Sequence, residues 1–234
     1  MDYILNIETS TDVCSVSISQ NGETKFLKIQ NPNIEKGEKA SHSQVLAVFI
    51  QDILKENSIL PKNIKAVAVS GGPGSYTGLR IGVSTAKGFA TALDLPLIAI
   101  ESLEIIAAMA KNKIDFDYDL IIPMIDARRM EVYTTIFDKD LNKILETQAK
   151  IIDKNSFLEF KAKKIVFCGN GAKKCKEALM SDNFIFIDNI FPSAELMSGI
   201  SHKKLKGKEF VDLVYYEPFY LKDFVAIKPK NKLF

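Results

Sequence analysis

The sequence predicts an α/β protein of two related lobes, the second one reduced. Three observations support this prediction. Short apolar strands alternate with helical segments over the first 110 residues, a glycine-rich turn leads into a helix at residues 70–93, and the pattern of residues 7–18 returns at residues 125–136. Strands separated by helices usually pair in parallel, so we expect mixed sheets covered by helices.

The first lobe, residues 1–110, is expected to have the element order βββαβαβα. It opens with three antiparallel strands, because Asn21-Gly22 is a strong hairpin signal between two alternating apolar segments. These strands are expected at residues 3–7, 14–20 and 24–29. The polar residues 30–39 then predict a loop.

Helices and parallel strands complete this lobe. Ser41 or Ser43 is suited to cap a helix that reaches about Asn57. The glycine-rich turn starts the second helix, and Ser102 starts the third. The two intervening strands are expected at residues 65–70 and 95–100.

The second lobe, residues 111–234, follows a polar stretch at residues 111–119. IETSTDVCSVSI and IDARRMEVYTTI have the same length, and each combines an apolar strand that ends in an acid, a polar turn and an alternating strand. This recurrence indicates a duplication. Further strands are expected at residues 165–168 and 184–187, with helices at residues 172–181 and 193–208, the latter broken at Gly199.

The composition is that of a globular protein. With 234 residues, of which 47% are hydrophobic, the chain can bury a sizeable core. A net charge of +2 argues against an extended surface that coats nucleic acid. The three cysteines lack CxxC spacing and suit a reducing compartment, and no apolar run reaches the roughly 18 residues of a membrane span. We therefore expect a cytoplasmic protein without a membrane segment.

The glycine-rich turn does not match a phosphate-binding loop. Leu79 and Arg80 stand where a Walker A loop has Lys-Ser/Thr, and Thr77 breaks a GxGxxG match. A helix N-terminus can still bind an anion, so that function stays open.

The helix after the turn carries small residues at every fourth position. They form a ridge that lets another backbone approach closely, either that of this chain's own sheet or that of a partner. The ridge consists of Gly78, Gly82, Ala86 and Ala90.

The helix after residue 41 is apolar around much of its circumference, more than one buried face requires. We therefore expect one side to pack on its own sheet, and the other side, with the ridge helix, to meet an equivalent helix pair of a partner. The expected interface residues are Val45, Leu46, Phe49, Ile53, Gly78, Gly82, Ala86 and Phe89. A charged residue in place of Phe49 or Ala86 is expected to abolish association.

Four segments together resemble the TsaB (YeaZ) family across nearly the whole chain. They are IETST, GGPGSYTGLRIGVSTAKGFA, IDARRMEVY and YEPFYL. The resemblance implies the actin-like, RNase H-like two-lobe fold and a role in forming N6-threonylcarbamoyladenosine in tRNA, next to the anticodon. It further implies a non-catalytic subunit that binds and activates the related enzyme TsaD, beside the ATPase TsaE and the enzyme TsaC. Alone, such a chain would pair with itself, and it would reach tRNA through the complex.

The same resemblance implies that no catalytic residue and no metal site is present. The HxxxH metal motif of TsaD aligns with Ser102 and Ile106, neither of which is a plausible metal ligand. His42 and His202 are the only histidines, so the chain has no HxxxH motif. This argues against a metallopeptidase-like enzyme.

No tightly bound cofactor is expected. Glu8 and Asp126 begin the two turns at the expected cleft between the lobes, but neither is followed by the glycine that lets phosphate reach the backbone in actin-like ATPases. Any ATP or ADP would be shared with partners in the complex. The expected shared contacts are Thr9, Ser10, Gly72, Ser75 and Arg80. A stand-alone actin-like ATPase or kinase is the alternative function.

Other charged residues have two interpretations. Arg128 and Arg129 either bind an anion or are ordinary turn arginines. The lysines late in the chain either touch tRNA phosphates or form a solvated face. They are Lys203, Lys204, Lys206, Lys208, Lys222, Lys228, Lys230 and Lys232.

Overall fold

The first lobe is built around a mixed sheet of five strands. The computed structural model describes residues 2–30 and 41–222. The strands are β1 (Tyr3–Glu8), β2 (Cys14–Gln20), β3 (Glu23–Gln30), β4 (Ile64–Gly72) and β5 (Leu97–Glu101). Their order is β3-β2-β1-β4-β5, antiparallel within the opening meander and parallel from β1 through β4 to β5. The predicted meander and parallel crossovers are confirmed.

The hairpin between β2 and β3 uses backbone conformations that suit its two turn residues. Asn21 and Gly22 have φ values of 53° and 84°, which asparagine and glycine tolerate best. Residues 31–39 of the predicted loop lie outside the described residues.

Three helices accompany this sheet. They are α1 (His42–Glu56), α2 (Tyr76–Leu93) and α3 (Ser102–Lys113). The inner face of α1 packs on the sheet through Leu46, Ile50 and Ile53, each about 1% exposed. Ser41 precedes α1, but its hydroxyl lies 2.6 Å from that of Ser43 and makes no capping bond.

The second lobe repeats the topology of the first. Its strands are β6 (Leu120–Asp126), β7 (Glu131–Asp138), β8 (Lys143–Ile151), β9 (Ile165–Cys168) and β10 (Phe184–Ile187). The order β8-β7-β6-β9-β10 has the same antiparallel and parallel pairings as the first sheet. This confirms the duplication and the predicted two-lobe α/β fold of actin-like, RNase H-like type.

The second lobe is also reduced, as predicted. Where the first lobe has α1, the second has only a short 3-10 turn at Leu158–Phe160. The predicted helix at residues 172–181 is wrong in length, because α4 spans only Ala172–Cys175. A turn follows it and buries Leu179 while Met180 is left 78% exposed, so core packing ends the helix early.

The last helix, α5 (Met197–Gly207), starts later than predicted and is not broken at Gly199. A Cβ on Gly199 would meet only the carbonyl oxygen of Gly22, 3.9 Å away, so α5 passes close to the β2–β3 hairpin there. A contact at that distance is ordinary packing, so the structure does not require a glycine at this position.

One helix that follows each sheet packs against the sheet of the other lobe: α3 contacts the second sheet and α5 the first. The α3 residues Leu103, Ile106 and Ala110 lie in one apolar cluster with Ile121 and Phe137 of the second sheet.

Conversely, the segment that starts α5 packs on the first sheet. Met197 shares a cluster with Ile4 and Ile98. Ala194 bonds through its backbone to Ser15 and Ser17 of β2, at 2.9 and 2.7 Å. A lobe boundary at residue 110 stays a prediction.

Within residues 2–30 and 41–222, no helix has both the length and the apolar character needed to cross a membrane.

Candidate functional site

The loop between β1 and β2 and the glycine-rich turn form one packed unit. The Thr9 hydroxyl donates to the Gly78 carbonyl at 2.8 Å, and the Ser75 amide donates to the Ser10 carbonyl at 2.7 Å. Thr9 and Ser10 are fully buried. The Ser75 hydroxyl accepts from the Gly78 amide at 3.3 Å and caps α2. Two amides at the start of α2 are therefore bonded within the chain.

The glycines of the turn make this close approach feasible. A Cβ on Gly74 would lie 2.3 Å from the Ser10 carbonyl oxygen, and one on Gly78 would lie 2.2 Å from that of Thr9. One on Gly82 would lie 2.1 Å from the Thr9 hydroxyl. The backbone that approaches the ridge near these glycines is therefore the chain's own.

The buried carboxyl group of Glu8 stabilises this loop through hydrogen bonds. One oxygen of Glu8 accepts from both the amide and the hydroxyl of Ser10, each at 2.6 Å. Burial raises the pKa of Glu8 to about 7, although the bonds from Ser10 oppose that rise. Burial, with the Glu8 charge nearby, raises the pKa of Cys14 to about 12. Glu8 is fully buried and serves to position the loop.

The residues predicted to share an anion or nucleotide differ in their exposure to solvent. Thr9, Ser10 and Gly72 are buried, whereas Ser75 and Arg80 are exposed. The Arg80 guanidinium lies over the Tyr76 ring, 5.3 Å from its centroid. A shared nucleotide contact at these residues stays a prediction.

The structure revises the surface that α1 and α2 offer to a partner. Five of the eight predicted interface residues lie inside the chain's own packing: Leu46, Ile53, Gly78, Gly82 and Ala86. A charge at Ala86, which is fully buried, would therefore disturb the core as well as any interface.

The remaining predicted interface residues are Val45, Phe49 and Phe89, which are half-buried. Beside them, α1 exposes Ala47 and Val48, the latter to 48%. On α2, Ser84 and Gly88 are exposed. The outer surface of this helix pair therefore includes apolar and small side chains among polar ones such as Gln44 and Gln51.

The corresponding turn of the second lobe is held by internal contacts. Asp126 forms an ion pair with Lys174 and accepts from the Arg128 amide at 2.8 Å, while the Asp126 amide donates to the Asn170 side chain at 3.0 Å. Arg128 and Arg129 have φ values of 69° and 49°, the left-handed region. Asp126 therefore serves as an ordinary turn residue.

The two positions that align with the metal motif of TsaD lie in the interior. Ser102 and Ile106 are both fully buried. His42 contacts the Thr11 carbonyl oxygen through Nε2 at 2.9 Å. In the part of the chain that the structure describes, no group of three or more His, Cys, Asp or Glu side chains is arranged to hold a metal ion.

Sequence reasoning missed one feature of the site, the segment of residues 209–222, which we call the strap. The Val211 amide donates to the Leu97 carbonyl at 3.0 Å, and the Phe219 amide donates to the Gly71 carbonyl at 2.7 Å. The strap thus crosses from the edge of the first sheet to the glycine-rich turn. Its only local signal is the segment YEPFYL, which meets Gly71, Tyr76 and Lys87, all distant in sequence.

A second missed feature joins the lobes near the strap. The carboxyl group of Glu101, at the end of β5, binds Lys143 and accepts from the Thr147 hydroxyl at 2.8 Å. These contacts tie β5 of the first lobe to β8 of the second.

Comparison with known proteins agrees with this architecture. The family model described as TsaD, tRNA N6-adenosine threonylcarbamoyltransferase, matches residues 36–205. Two solved structures from Pseudomonas aeruginosa have the same fold, with TM-scores of 0.82 and 0.78 at 23% and 22% identity. One is described as similar to peptidase YEAZ and the other as YeaZ. They cover 95% and 94% of this chain, and all of each solved chain is covered.

Sequence relatives narrow the family. The tRNA threonylcarbamoyladenosine biosynthesis protein TsaB of Escherichia coli is 30% identical, with 96% of each chain covered. The TsaB protein of Bacillus subtilis is 34% identical over 60% of this chain and 62% of its own. The tRNA N6-adenosine threonylcarbamoyltransferase of Streptococcus mutans is 30% identical over 62% of this chain but only 46% of its own length. The chain therefore belongs to the TsaB (YeaZ) family.

Proposed function

We propose that the chain acts in the formation of threonylcarbamoyladenosine in tRNA as a non-catalytic subunit that binds and activates a TsaD-type transferase in the cytoplasm. The observation that carries this proposal is the double character of α1. Leu46, Ile50 and Ile53 pack inward, while Val48 is 48% exposed on the outer side. The exposed Ala47 and Val48 lie next to small residues of α2, and such a patch is suited to another helix pair.

The comparisons support the choice of partner. The family model described for the transferase extends over residues 36–205, which include α1 and α2. A transferase of this family is therefore expected to have an equivalent helix pair. Two related helix pairs can meet across a pseudo-twofold axis, as identical subunits do in a dimer. The same surface would let this chain form a homodimer when the transferase is absent.

The non-catalytic role is supported by the first-lobe turn. Glu8 is buried beneath Ser10, and the Thr9 hydroxyl is bonded to Gly78. An acid or a nucleophile must reach its substrate, and these groups are turned toward the chain's own backbone. We propose further that ATP or ADP enters only in the complex, where a TsaE-type ATPase joins, and that tRNA is contacted through the transferase.

The proposal is tested by light-scattering mass measurements after size exclusion. The full chain is run alone, and then mixed with the TsaD homologue of the same organism. The wild-type mixture should give one heteromeric species in place of the homodimer. Val48→Asp should abolish both assemblies, because it places a charge on the outer face of α1. Met180→Asp is the matched control, since Met180 is 78% exposed on the second lobe.

Two outcomes would contradict the proposal. If the wild-type mixture shows only the separate components, the TsaD homologue is not the partner of this chain. The second outcome is that the purified chain alone hydrolyses nucleotide even after contaminating enzymes are removed. That result would favour a stand-alone ATPase or kinase.

A further inference from the structure

The strap is held against the first lobe through its backbone. Besides the bonds to Leu97 and Gly71, the Lys87 ammonium group of α2 donates to the carbonyls of Val214 and Tyr216, each at 3.1 Å. These contacts fix the course of the strap while leaving many of its side chains free to face outward.

The outward side of the strap is unusually apolar. Of the fifteen large hydrophobic side chains that are exposed within residues 2–30 and 41–222, five lie in this one segment. They are Phe210, Val214, Tyr215, Phe219 and Tyr220. Val214 and Tyr215 are 74% and 82% exposed. Clustered exposure of this kind is typical of an interaction surface.

A pocket of about 340 Å³ lies between the strap and α2. Tyr76, Arg80 and Lys87 line it from the helix, and Tyr216, Glu217 and Tyr220 line it from the strap. The Tyr76 and Tyr220 rings pack with their centroids 4.9 Å apart, and Arg80 lies over Tyr76. The pocket is large enough for one side chain of a bound protein, and its two cations outnumber the single carboxylate of Glu217, which favours an acidic side chain.

Charge argues for protein over RNA as the occupant. The strap contains three acidic residues and one lysine, a net charge of −2, which disfavours phosphate groups along its length. Tyrosine, phenylalanine and arginine are the residue types enriched at the centres of protein interfaces. The basic pocket then selects an acidic group of the protein that binds there.

We propose that the strap and α2 form a second docking point for the TsaD-type subunit, whose acidic side chain enters the pocket beside Arg80 and Lys87. This inference rests on the proposed function, since it names a further part of the same partner surface. The two parts are continuous because α2 contributes to both, with Gly88 on one side and Arg80 in the pocket.

The test is isothermal titration calorimetry of the full chain with the TsaD homologue of the same organism. Tyr215→Ala and Arg80→Glu should each weaken binding about tenfold or more, as expected for residues at the centre of an interface. Met180→Ala truncates a side chain of similar exposure on the second lobe and should leave affinity unchanged. Tyr215 is 82% exposed, so its truncation keeps the test valid even if Arg80→Glu does not fold.

The outcomes separate the two proposals. If the wild-type chain does not bind the homologue, both proposals fail. If it binds, and Val48→Asp weakens binding while Tyr215→Ala and Arg80→Glu do not, only the docking role of the strap is overturned. If Tyr215→Ala and Arg80→Glu instead reduce the tRNA affinity of the assembled complex at unchanged subunit affinity, the surface binds RNA and the inference is also overturned.

Discussion

The hydroxyl of Thr9 donates a 2.8 Å hydrogen bond to the carbonyl of Gly78 and so ties the β1–β2 loop to the first turn of α2. This contact explains why the turn is rich in glycine. Any side chain at Gly78 would collide with the Thr9 carbonyl, since a Cβ there would lie 2.2 Å from its oxygen. Gly74 and Gly78 of this turn are required by close contacts with the chain's own backbone.

Two glycines of α2 should respond in opposite ways to alanine. Gly82→Ala should lower the free energy of unfolding by about 1–3 kcal/mol, because its Cβ would lie 2.1 Å from the Thr9 hydroxyl. Gly88→Ala should raise it by up to about 1 kcal/mol, since no atom lies within 4 Å and alanine favours the helix. Urea unfolding of both variants checks this. Equal effects would contradict the assigned packing.

Stability should fall between pH 4.5 and about 7 because of Glu8. Burial raises its pKa from 4.5 to about 7, so the folded protein holds this proton more tightly than the unfolded chain. The contribution is full below the unfolded pKa and is lost as pH rises through the folded one, an effect on the order of 3 kcal/mol. Glu8→Gln should flatten this part of the curve, as measured by urea unfolding across the pH range. A variant with the wild-type slope would show that other groups dominate.

Gly71→Ala should destabilise the protein, and Tyr216→Phe should relieve part of the effect. A Cβ at Gly71 would lie 2.2 Å from the Tyr216 hydroxyl but 3.5 Å from the ring carbon that carries it. Removal of the hydroxyl therefore removes the collision. A double-mutant cycle by thermal unfolding should give a coupling energy of about 1 kcal/mol or more. Strictly additive effects would contradict this contact.

Lys87→Met should loosen the strap without unfolding the first lobe. The lysine donates to the carbonyls of Val214 and Tyr216, and methionine keeps most of its packing but none of its donors. Hydrogen exchange at the amides of Val211 and Phe219 should become faster, while exchange in β1 stays unchanged. Lys55→Met on the exposed side of α1 is the control and should leave both regions as in the wild type.

Much of the local structure could be predicted. The bounds of β2, β9 and β10 agree with those read from the sequence, because short apolar segments between turn residues have few alternative conformations. The resemblance between the two acid-ending strand motifs also predicted the duplication correctly. The strand β8 (Lys143–Ile151) was not located individually, since its mixed polar sequence carries weak alternation.

The two-lobe α/β fold, the family and the need for close packing along the ridge of α2 could all be inferred from the sequence. The groups that pack against these glycines are known only from the folded chain. Gly78 and Gly82 meet Thr9, and Gly71 meets Tyr216, about 70 and 145 positions away in the chain. The packing of α3 on the second sheet and of α5 on the first could not be predicted from the sequence either. A small side chain indicates that space is needed, but the group that fills the space is chosen by contacts between distant segments, which leave no local pattern in the sequence.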